Sequence, residues 1–178
     1  MPLELKSFRL PSEWGPEDHE DQNSPRLYLK DSFNLDLPIK GGWGSSIEDC
    51  VIIDNTDPAV DKSLPFDGQV IQQSFIKQSI YAELIIFRQK EDRFSSIKWK
   101  LTTQSLKTID NKKFDLMNFK VTAFTDRDWE YLKADWERNN SYEDNEKGKL
   151  QHYKEQQLRI CVYDTQYYFD ITSYFGNQ

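Results

Sequence analysis

The stretch that decides the fold is SIKWKLTTQSLKTIDNKKFDLMNFKVTAFTDRDWEYLKADWER, residues 96–138, because two kinds of regular structure follow each other there. Apolar side chains alternate with lysines in residues 97–101, and a second alternating run fills residues 119–123. The letters IDNKK between them, residues 109–113, are typical of a turn. Alternation on both sides of a turn predicts a β-hairpin over residues 96–123, with the lysines on one solvated face.

The end of the same stretch predicts a helix. Thr125 is a good N-cap, and Asp128 stands three residues later, as in a capping box. Phe124 before the cap and Trp129 after the first turn form the hydrophobic pair that fixes the entry of the chain into a helix. Acidic residues in the first turn complement the helix dipole. We therefore expect a helix over about residues 126–138, with one apolar stripe facing the core.

Outside this stretch the patterns are shorter. Alternating or β-branched runs predict strands at residues 3–10, 27–37, 48–54 and 79–88, and a final hairpin at residues 158–172. Residues 69–78 fit a helix or a strand, and a weak helix within residues 142–157 stays open. The sequence therefore predicts one α+β domain over residues 1–178, with a mainly antiparallel sheet, one well-defined helix and one or two further helices left open.

Charge is unevenly distributed along the chain, whose formal net charge is −7. Residues 1–68 carry 6 basic and 14 acidic side chains, residues 69–122 carry 10 and 5, and residues 123–178 carry 7 and 11. The lysines of the hairpin, with Trp99 and Phe114, suit a nucleic-acid surface, but the acidic ends of the chain repel phosphate. We therefore expect an acidic protein that binds a basic protein partner and no nucleic acid.

Two cysteines and the N-terminus bear on the cellular compartment. Cys50 and Cys161 lie in apolar runs and belong to no metal-binding pair, which favours free buried thiols in a reducing cytoplasm over a disulfide. The opening MPLELKSFRL lacks the basic start and the apolar run of a signal peptide. No stretch reaches the roughly 20 apolar residues of a membrane span. The expected location is the cytoplasm, without a membrane partner.

No residue pattern predicts catalysis. His19 lies in the charged run EDHED, residues 17–21, and His152 lies in a polar stretch, so both are expected to be solvated surface residues. Cys50 is expected to be too buried to act as a nucleophile. The glycines of GGWG, residues 41–44, lack the spacing and the lysine of a phosphate-binding loop. The sequence therefore predicts no catalytic residue, no metal site and no cofactor.

Acidic and aromatic side chains are the candidates for binding a partner. An exposed loop at about residues 11–26 and the predicted helix both contain acids that helix capping does not explain. Trp43 has two interpretations: a glycine-rich turn tucks it under the sheet, which we favour, or it is an anchor that faces a partner. The predicted partner-binding residues are Trp14, Glu17, Asp18, Glu20, Asp21, Trp43, Asp135 and Glu137.

Three segments carry a resemblance to a known class: IKGGWGSSIEDCVII at residues 39–53, YAELIIFR at 81–88 and AFTDRDWEYLKADWE at 123–137. In a small acidic α+β chain they resemble bacterial immunity proteins of polymorphic toxin systems, including the contact-dependent inhibition and Rhs types. The resemblance implies a protein without enzymatic activity that binds and neutralises one cognate toxin, such as a basic nuclease. A small carboxylate-dependent hydrolase and an adaptor domain of a larger assembly stay open, as does the oligomeric state.

Overall fold

The structure is a computed structural model, and it describes the strand Leu3–Glu4 and residues 24–176. The described residues fall into two compact units. The first unit contains residues 3–4, 81–100 and 120–165, and the second contains residues 24–80, 101–119 and 166–176. The prediction of a single domain over residues 1–178 stays a prediction.

Six strands of the described chain form one mixed sheet. They are β1 Leu3–Glu4, β2 Ile39–Gly41, β3 Val51–Ile53, β4 Phe94–Ile109, β5 Lys112–Thr125 and β6 Cys161–Asp170. The strand order is β2-β3-β6-β5-β4, and β1 also pairs with β6. β2 and β3 are antiparallel, whereas β6 pairs in parallel with both β1 and β3. β1 lies within the strand predicted at residues 3–10, and β3 lies within the one predicted at residues 48–54. The other residues of the first prediction, 5–10, lie outside the described residues.

Four α-helices complete the fold of the described residues: α1 Pro25–Phe33, α2 Gly68–Tyr81, α3 Asp126–Arg138 and α4 Glu146–Arg159. A π-helical turn, Ala82–Ile86, continues α2, and short 3-10 turns lie at Lys90–Asp92 and Asn140–Tyr142. None of the helices in the described chain is both long enough and apolar enough to cross a membrane. The α+β class is confirmed, with four helices where the sequence predicted one clearly.

The predicted hairpin and the helix after it are confirmed. Strands β4 and β5 meet at the two-residue turn Asp110–Asn111, whose φ angles of 48° and 63° suit a type I′ hairpin turn. Thr125 caps α3, because its hydroxyl oxygen accepts the N–H of Asp128 at 3.1 Å. Phe124 and Trp129 stack with ring centres 5.5 Å apart, as the hydrophobic pair at a helix start requires.

The strand predicted at residues 27–37 is wrong, because α1 occupies most of this range. Pro25 lies in the first turn of α1, where its fixed φ suits a helix and its missing N–H has no partner to lose. Leu29 is fully buried, and Asn34, with a left-handed φ of 51°, ends the helix. The predicted loop at 11–26 therefore ends earlier than expected, and most of it lies outside the described residues.

The strand predicted at residues 79–88 is also wrong, since the end of α2 and the π-helical turn occupy it. Ile76, Ile80 and Leu84 recur every four residues and are at most 1% exposed. They form one buried helical face, and this burial outweighs the preference of isoleucine for strands. Residues 69–78, for which helix and strand both stayed open, belong to α2.

The final hairpin predicted at residues 158–172 is wrong as well, because one strand, β6, runs through Asp164 and Thr165. Asp164 is exposed and Thr165 is buried, so the alternation of a strand continues through the polar pair that suggested a turn. In the range 142–157, where a weak helix stayed open, α4 begins at Glu146.

The buried core contains both cysteines and a cluster of aromatic rings. Cys50 and Cys161 are free and buried, as predicted. In the second unit the ring centre of Phe75 lies 6.2 Å from that of Tyr167 and 5.9 Å from that of Phe169, both edge-on. Such pairs stabilise the core beyond what the burial of each ring contributes. A chain with 11 Phe and 9 Tyr can therefore form its core from few residues.

Candidate functional site

Helices α3 and α4 pack side by side in the first unit and form a groove. Nη1 of Arg159, at the end of α4, donates to Oδ1 of Asp128, near the start of α3, at 2.7 Å, so the two helices run antiparallel. Between them lies a cavity of about 300 Å³. Its lining residues are Trp129, Leu132, Lys133, Trp136, Glu137, His152, Tyr153 and Gln156.

The apolar stripe of α3 provides one wall of the groove. Trp129, Leu132 and Trp136 recur at helical spacing, and Leu132 is only 1% exposed. The ring centre of Trp136 lies 5.1 Å from that of His152 and 6.2 Å from that of Tyr153, both on α4. Tyr153 is 43% exposed. The groove is therefore an aromatic surface that the fold leaves partly open to solvent.

A hydrogen-bond network lies beneath these aromatic walls. Oδ2 of Asp135 accepts from Nδ1 of His152 at 2.7 Å and from the hydroxyl of Tyr142 at 2.7 Å. The amide nitrogen of Gln156 lies 3.1 Å from Nε2 of His152, and because an amide nitrogen donates, Nε2 accepts. Both ring nitrogens of His152 therefore have hydrogen-bond partners.

The prediction that His152 is a solvated surface residue is wrong, since this histidine is only 3% exposed. Its neighbours in the sequence are polar, and two leucines of the same helix, Leu150 and Leu158, are more than half exposed. The polar neighbours of His152 therefore suggest an exposed side chain, although the ring is buried. The acid that accepts its hydrogen bond, Asp135, comes from α3 and not from the local sequence.

The link between the two helices has an unusual backbone. Asn140, Ser141 and Tyr142 have φ angles of 48°, 56° and 57°, three consecutive left-handed residues without a glycine. The side chain of Asn139 donates to the backbone oxygen of Asp135 at 2.8 Å and to the hydroxyl oxygen of Tyr142 at 2.9 Å. These bonds hold the left-handed turn and place the tyrosine hydroxyl against the carboxylate.

Asp135, one of the two acids predicted on α3 to bind a partner, is committed to this internal network. The hydrogen bonds from His152 and Tyr142 hold the pKa of Asp135 below its ordinary value of 3.8. The same hydrogen bond raises the pKa of Tyr142, because the hydroxyl would lose its bond to the carboxylate on giving up its proton. Asp135 therefore joins the helices from inside.

Glu137, the second acid predicted on α3, has a different environment. It lines the groove, is exposed, and makes no ion pair with any of residues 24–176. The lysine of the groove, Lys133, is paired with Glu130, whose Oε1 lies 2.6 Å from Nζ. The uncompensated charge at the groove is therefore negative.

Aromatic faces beside an available carboxylate suit a cationic side chain. A guanidinium or ammonium group is attracted to the faces of Trp and Tyr rings and forms charge-assisted hydrogen bonds to a carboxylate. The Asp135–His152 pair also has the geometry that orients a general base, but Gln156 occupies Nε2, the atom that would take the proton. Within the described part of the chain, no three His, Cys, Asp or Glu side chains converge to hold a metal ion.

The structure describes three of the eight predicted partner-binding residues. Trp43 belongs to the second unit, where its ring centre lies 5.7 Å from that of Tyr28 and 6.0 Å from that of Phe75, which supports the packing interpretation. Asp135 and Glu137 both lie on α3, but only Glu137 has an available side chain. The other five predicted residues lie outside the described ranges: Trp14, Glu17, Asp18, Glu20 and Asp21.

Sequence reasoning missed the contribution of α4 to the groove. His152 and Gln156 are four residues apart, and Tyr153 follows the histidine directly. Residues four apart share one face of a helix, so a helical assignment of this segment would have predicted the first pair. Because the sequence left the helix in this segment open, the four-residue spacing of His152 and Gln156 did not predict that they lie together.

Comparison of the chain with protein-family models, with curated proteins and with solved structures gives no match.

Proposed function

We propose that this protein is a cytoplasmic immunity protein that binds and neutralises a cognate toxin, and that the groove between α3 and α4 seats a basic side chain of that toxin. The observation that carries the proposal is the combination of partly open aromatic walls with the exposed carboxylate of Glu137. Tryptophan, tyrosine and arginine are the residues most enriched among interface hot spots, and arginine is the side chain that most often lies over an aromatic face.

The chemistry of the groove supports a basic partner over a neutral or acidic one. A cation over an exposed aromatic face gains about 0.5–1 kcal/mol, and the groove offers faces from both helices. Glu137 adds an ion pair at the same place. The net charge of −7 increases the encounter rate with a basic protein, an effect that salt screens over about 8 Å at physiological ionic strength.

Asp135 contributes to this function indirectly. Its bond to His152 fixes one ring against Trp136, and its bond to Tyr142 fixes another, with the ring centre of Tyr142 5.8 Å from that of Trp136. A rigid aromatic wall binds a partner better than a mobile one, because less conformational entropy is lost on binding. Asp135 is therefore a positioning residue of the groove.

The second candidate function is that of a small carboxylate-dependent hydrolase, and the Asp135–His152 pair is the observation that favours it. In such an enzyme Nε2 of His152 would have to accept a proton, so the amide of Gln156 would block catalysis. The hydrolase hypothesis therefore predicts that Gln156→Ala raises hydrolytic activity. The binding hypothesis predicts no activity from either form.

The proposal predicts that a gene beside that of this protein in the source genome encodes the toxin. The test produces the product of that gene in bacterial cells, together with the protein. We expect wild-type protein to restore growth, and Glu137→Lys combined with Tyr153→Ala to weaken protection. Asp144→Lys is the matched control, because Asp144 is an exposed acid of the same unit that does not line the groove.

Two results would count against the proposal. Failure of the wild-type protein to protect cells would exclude the immunity function. Full protection by the groove variant, with an unchanged association rate for the purified toxin, would show that the toxin docks elsewhere.

A further inference from the structure

Among the described residues, nothing pairs with the outer edge of β4 along residues 101–109. β4 ends the strand order, and in the described chain no strand pairs with its far side. Every residue from Leu101 to Ile109 is exposed, on both faces of the strand. Leu101, Leu106 and Ile109 are 38%, 51% and 37% exposed. An edge with unpaired backbone groups and exposed apolar side chains is a template for another strand.

This edge lacks most of the devices that keep strands from pairing. Proteins protect their edges with charges, prolines or bulges, whereas residues 101–109 contain no proline and one charged residue, Lys107. The adjacent strand is different, because Phe114–Met117 in β5 is buried on both faces. Continuous exposure on both faces is therefore a property of β4 and not of the segment of β5 that lies beside it.

The hydrogen bonds of β5 identify which backbone groups of β4 point outward. Lys113 uses its N–H and C=O towards the far side of β5, bonding Thr172 Oγ1 and Ile171 N at 2.9 Å each. Its neighbour across the hairpin is Thr108, whose hydroxyl lies 2.8 Å from Nζ of Lys113. Because antiparallel pairs alternate, Thr108 directs its own N–H and C=O away from β5. The outward-facing residues are thus Thr102, Gln104, Leu106 and Thr108.

We propose that a second copy of this chain pairs with this edge, so that two β4 strands join antiparallel about a twofold axis at Ser105 and the two sheets become one. Backbone bonding requires outward-facing residues to meet outward-facing residues. With the axis at Ser105, Thr102 meets Thr108 and Gln104 meets Leu106. The nine residues then form about eight intermolecular backbone hydrogen bonds.

The side chains also match in this register. Leu101 of each copy lies opposite Ile109 of the other, an apolar pair made twice across the axis. Lys107 lies opposite Thr103, so no lysine faces a lysine. Beyond the paired strands, Lys100 comes opposite Asp110, the only acid among residues 94–113, so the single nearby pair of charges has opposite signs. A self-complementary edge of this kind fits a second copy better than an unrelated strand.

The first test is the mass of the protein in solution over a range of concentrations, measured by sedimentation velocity. We expect a monomer–dimer equilibrium that Leu106→Pro weakens about tenfold or more. Proline removes an N–H that points outward and that no residue of the described chain uses, so the fold should persist. Leu106→Thr is the matched control, because it keeps the N–H and places a β-branched side chain that suits a strand, and its dimer should persist.

The second test fixes the register and does not depend on the proline variant. Ser105 on the axis lies opposite its own copy at a position without backbone bonds, where Cα atoms are about 4.5 Å apart. Ser105→Cys should therefore form an intermolecular disulfide under mild oxidation. Thr103→Cys, on the same exposed face, lies opposite Lys107 and should form none. The native cysteines are buried and serve as an internal reference.

A monomer at every concentration would overturn the proposal. A dimer that Leu106→Pro does not weaken, and that Ser105→Cys does not cross-link, would also overturn it, because its interface would lie elsewhere. Equal cross-linking of Ser105→Cys and Thr103→Cys would overturn the proposed register. If this chain does not self-associate and an extended segment of another protein binds the β4 edge, the proposal that a second copy occupies this edge is wrong.

Discussion

Oδ2 of Asp135 lies 2.7 Å from Nδ1 of His152, and this bond joins the last turn of α3 to the middle of α4. The same oxygen accepts the hydroxyl of Tyr142 at 2.7 Å, so one carboxylate oxygen holds two rings that pack against Trp136. Buried polar groups in such a network stabilise a fold only while every member keeps its partner. The aromatic groove therefore depends on one partly exposed acid that is bonded to both rings.

Replacing Asp135 should make the stability of the protein less dependent on pH. The pKa of this carboxyl is lowered in the folded protein, chiefly by the hydrogen bond from His152. A lowered pKa gives a contribution that is fully present above the unfolded value, about 3.9, and is lost as the pH falls through the folded value. Asp135→Asn should thus be less stable than wild type at pH 6, with the difference shrinking on acidification to about pH 2.

Urea melts at several pH values measure this difference. Asp144→Asn is the control, because it removes a carboxyl of the same unit that is exposed and does not line the groove. A stability gap between wild type and Asp135→Asn that stays constant down to pH 2 would show that the carboxylate does not act through its ionised form.

Loss of the α3 cap should destabilise the protein moderately. The hydroxyl oxygen of Thr125 accepts the N–H of Asp128 and donates its proton to Oδ2 of the same residue at 2.9 Å. Thr125→Ala should lower the free energy of unfolding by about 1 kcal/mol. Thr125→Ser keeps the hydroxyl and should recover most of the loss in equilibrium urea unfolding. Equal losses for both variants would mean that the hydroxyl does not cap the helix.

Truncation of Trp136 should cost more than truncation of its neighbour across the groove. The ring of Trp136 contacts three rings, those of Tyr142, His152 and Tyr153, so Trp136→Ala should cost about 3 kcal/mol. Tyr153→Ala should cost less than about 1 kcal/mol, because the tyrosine is 43% exposed. Calorimetric unfolding compares the two variants. Similar small effects would indicate that the groove wall is not packed as described.

Both cysteines should react slowly in the folded protein and fast in the unfolded one. Burial raises the pKa of the Cys50 thiol and that of the Cys161 thiol, which reduces the reactive thiolate. Titration with a thiol reagent in denaturant without reductant should find both groups. Titration under native conditions should find almost none over the same time. Absence of reactive thiols in denaturant would indicate a disulfide.

The elements that were predicted correctly carry local signals. The α3 helix has its cap, its hydrophobic pair and its stripe within about twelve residues, and the β4–β5 hairpin has its turn residues in place. The missed elements depend on contacts distant in sequence. Leu29 and Ile80 occupy helices because their faces are buried by other segments, and Thr165 stays in a strand because its side chain is buried there.

The candidate site was half predictable for the same reason. The wall from α3 follows from Trp129, Leu132 and Trp136 at helical spacing. The burial of His152 follows from Asp135, seventeen residues earlier, and from a turn of three left-handed residues that no glycine announces. The sequence shows two acids on α3, and their charge does not distinguish their roles. Asp135 is hydrogen-bonded to His152 and Tyr142, whereas Glu137, two residues later, is exposed.

The central claim is that the groove binds a basic side chain through aromatic faces and Glu137. The most direct measurement is a titration of the protein with a glycine-arginine-glycine peptide, followed by the indole N–H resonances of its tryptophans. We expect the peptide to shift the signals of Trp129 and Trp136. The same peptide with citrulline, which has the shape of arginine without its charge, should shift them little. Glu137→Lys should abolish the arginine effect, and Asp144→Lys should preserve it. Equal shifts with arginine and citrulline, or an effect that survives Glu137→Lys, would contradict the claim.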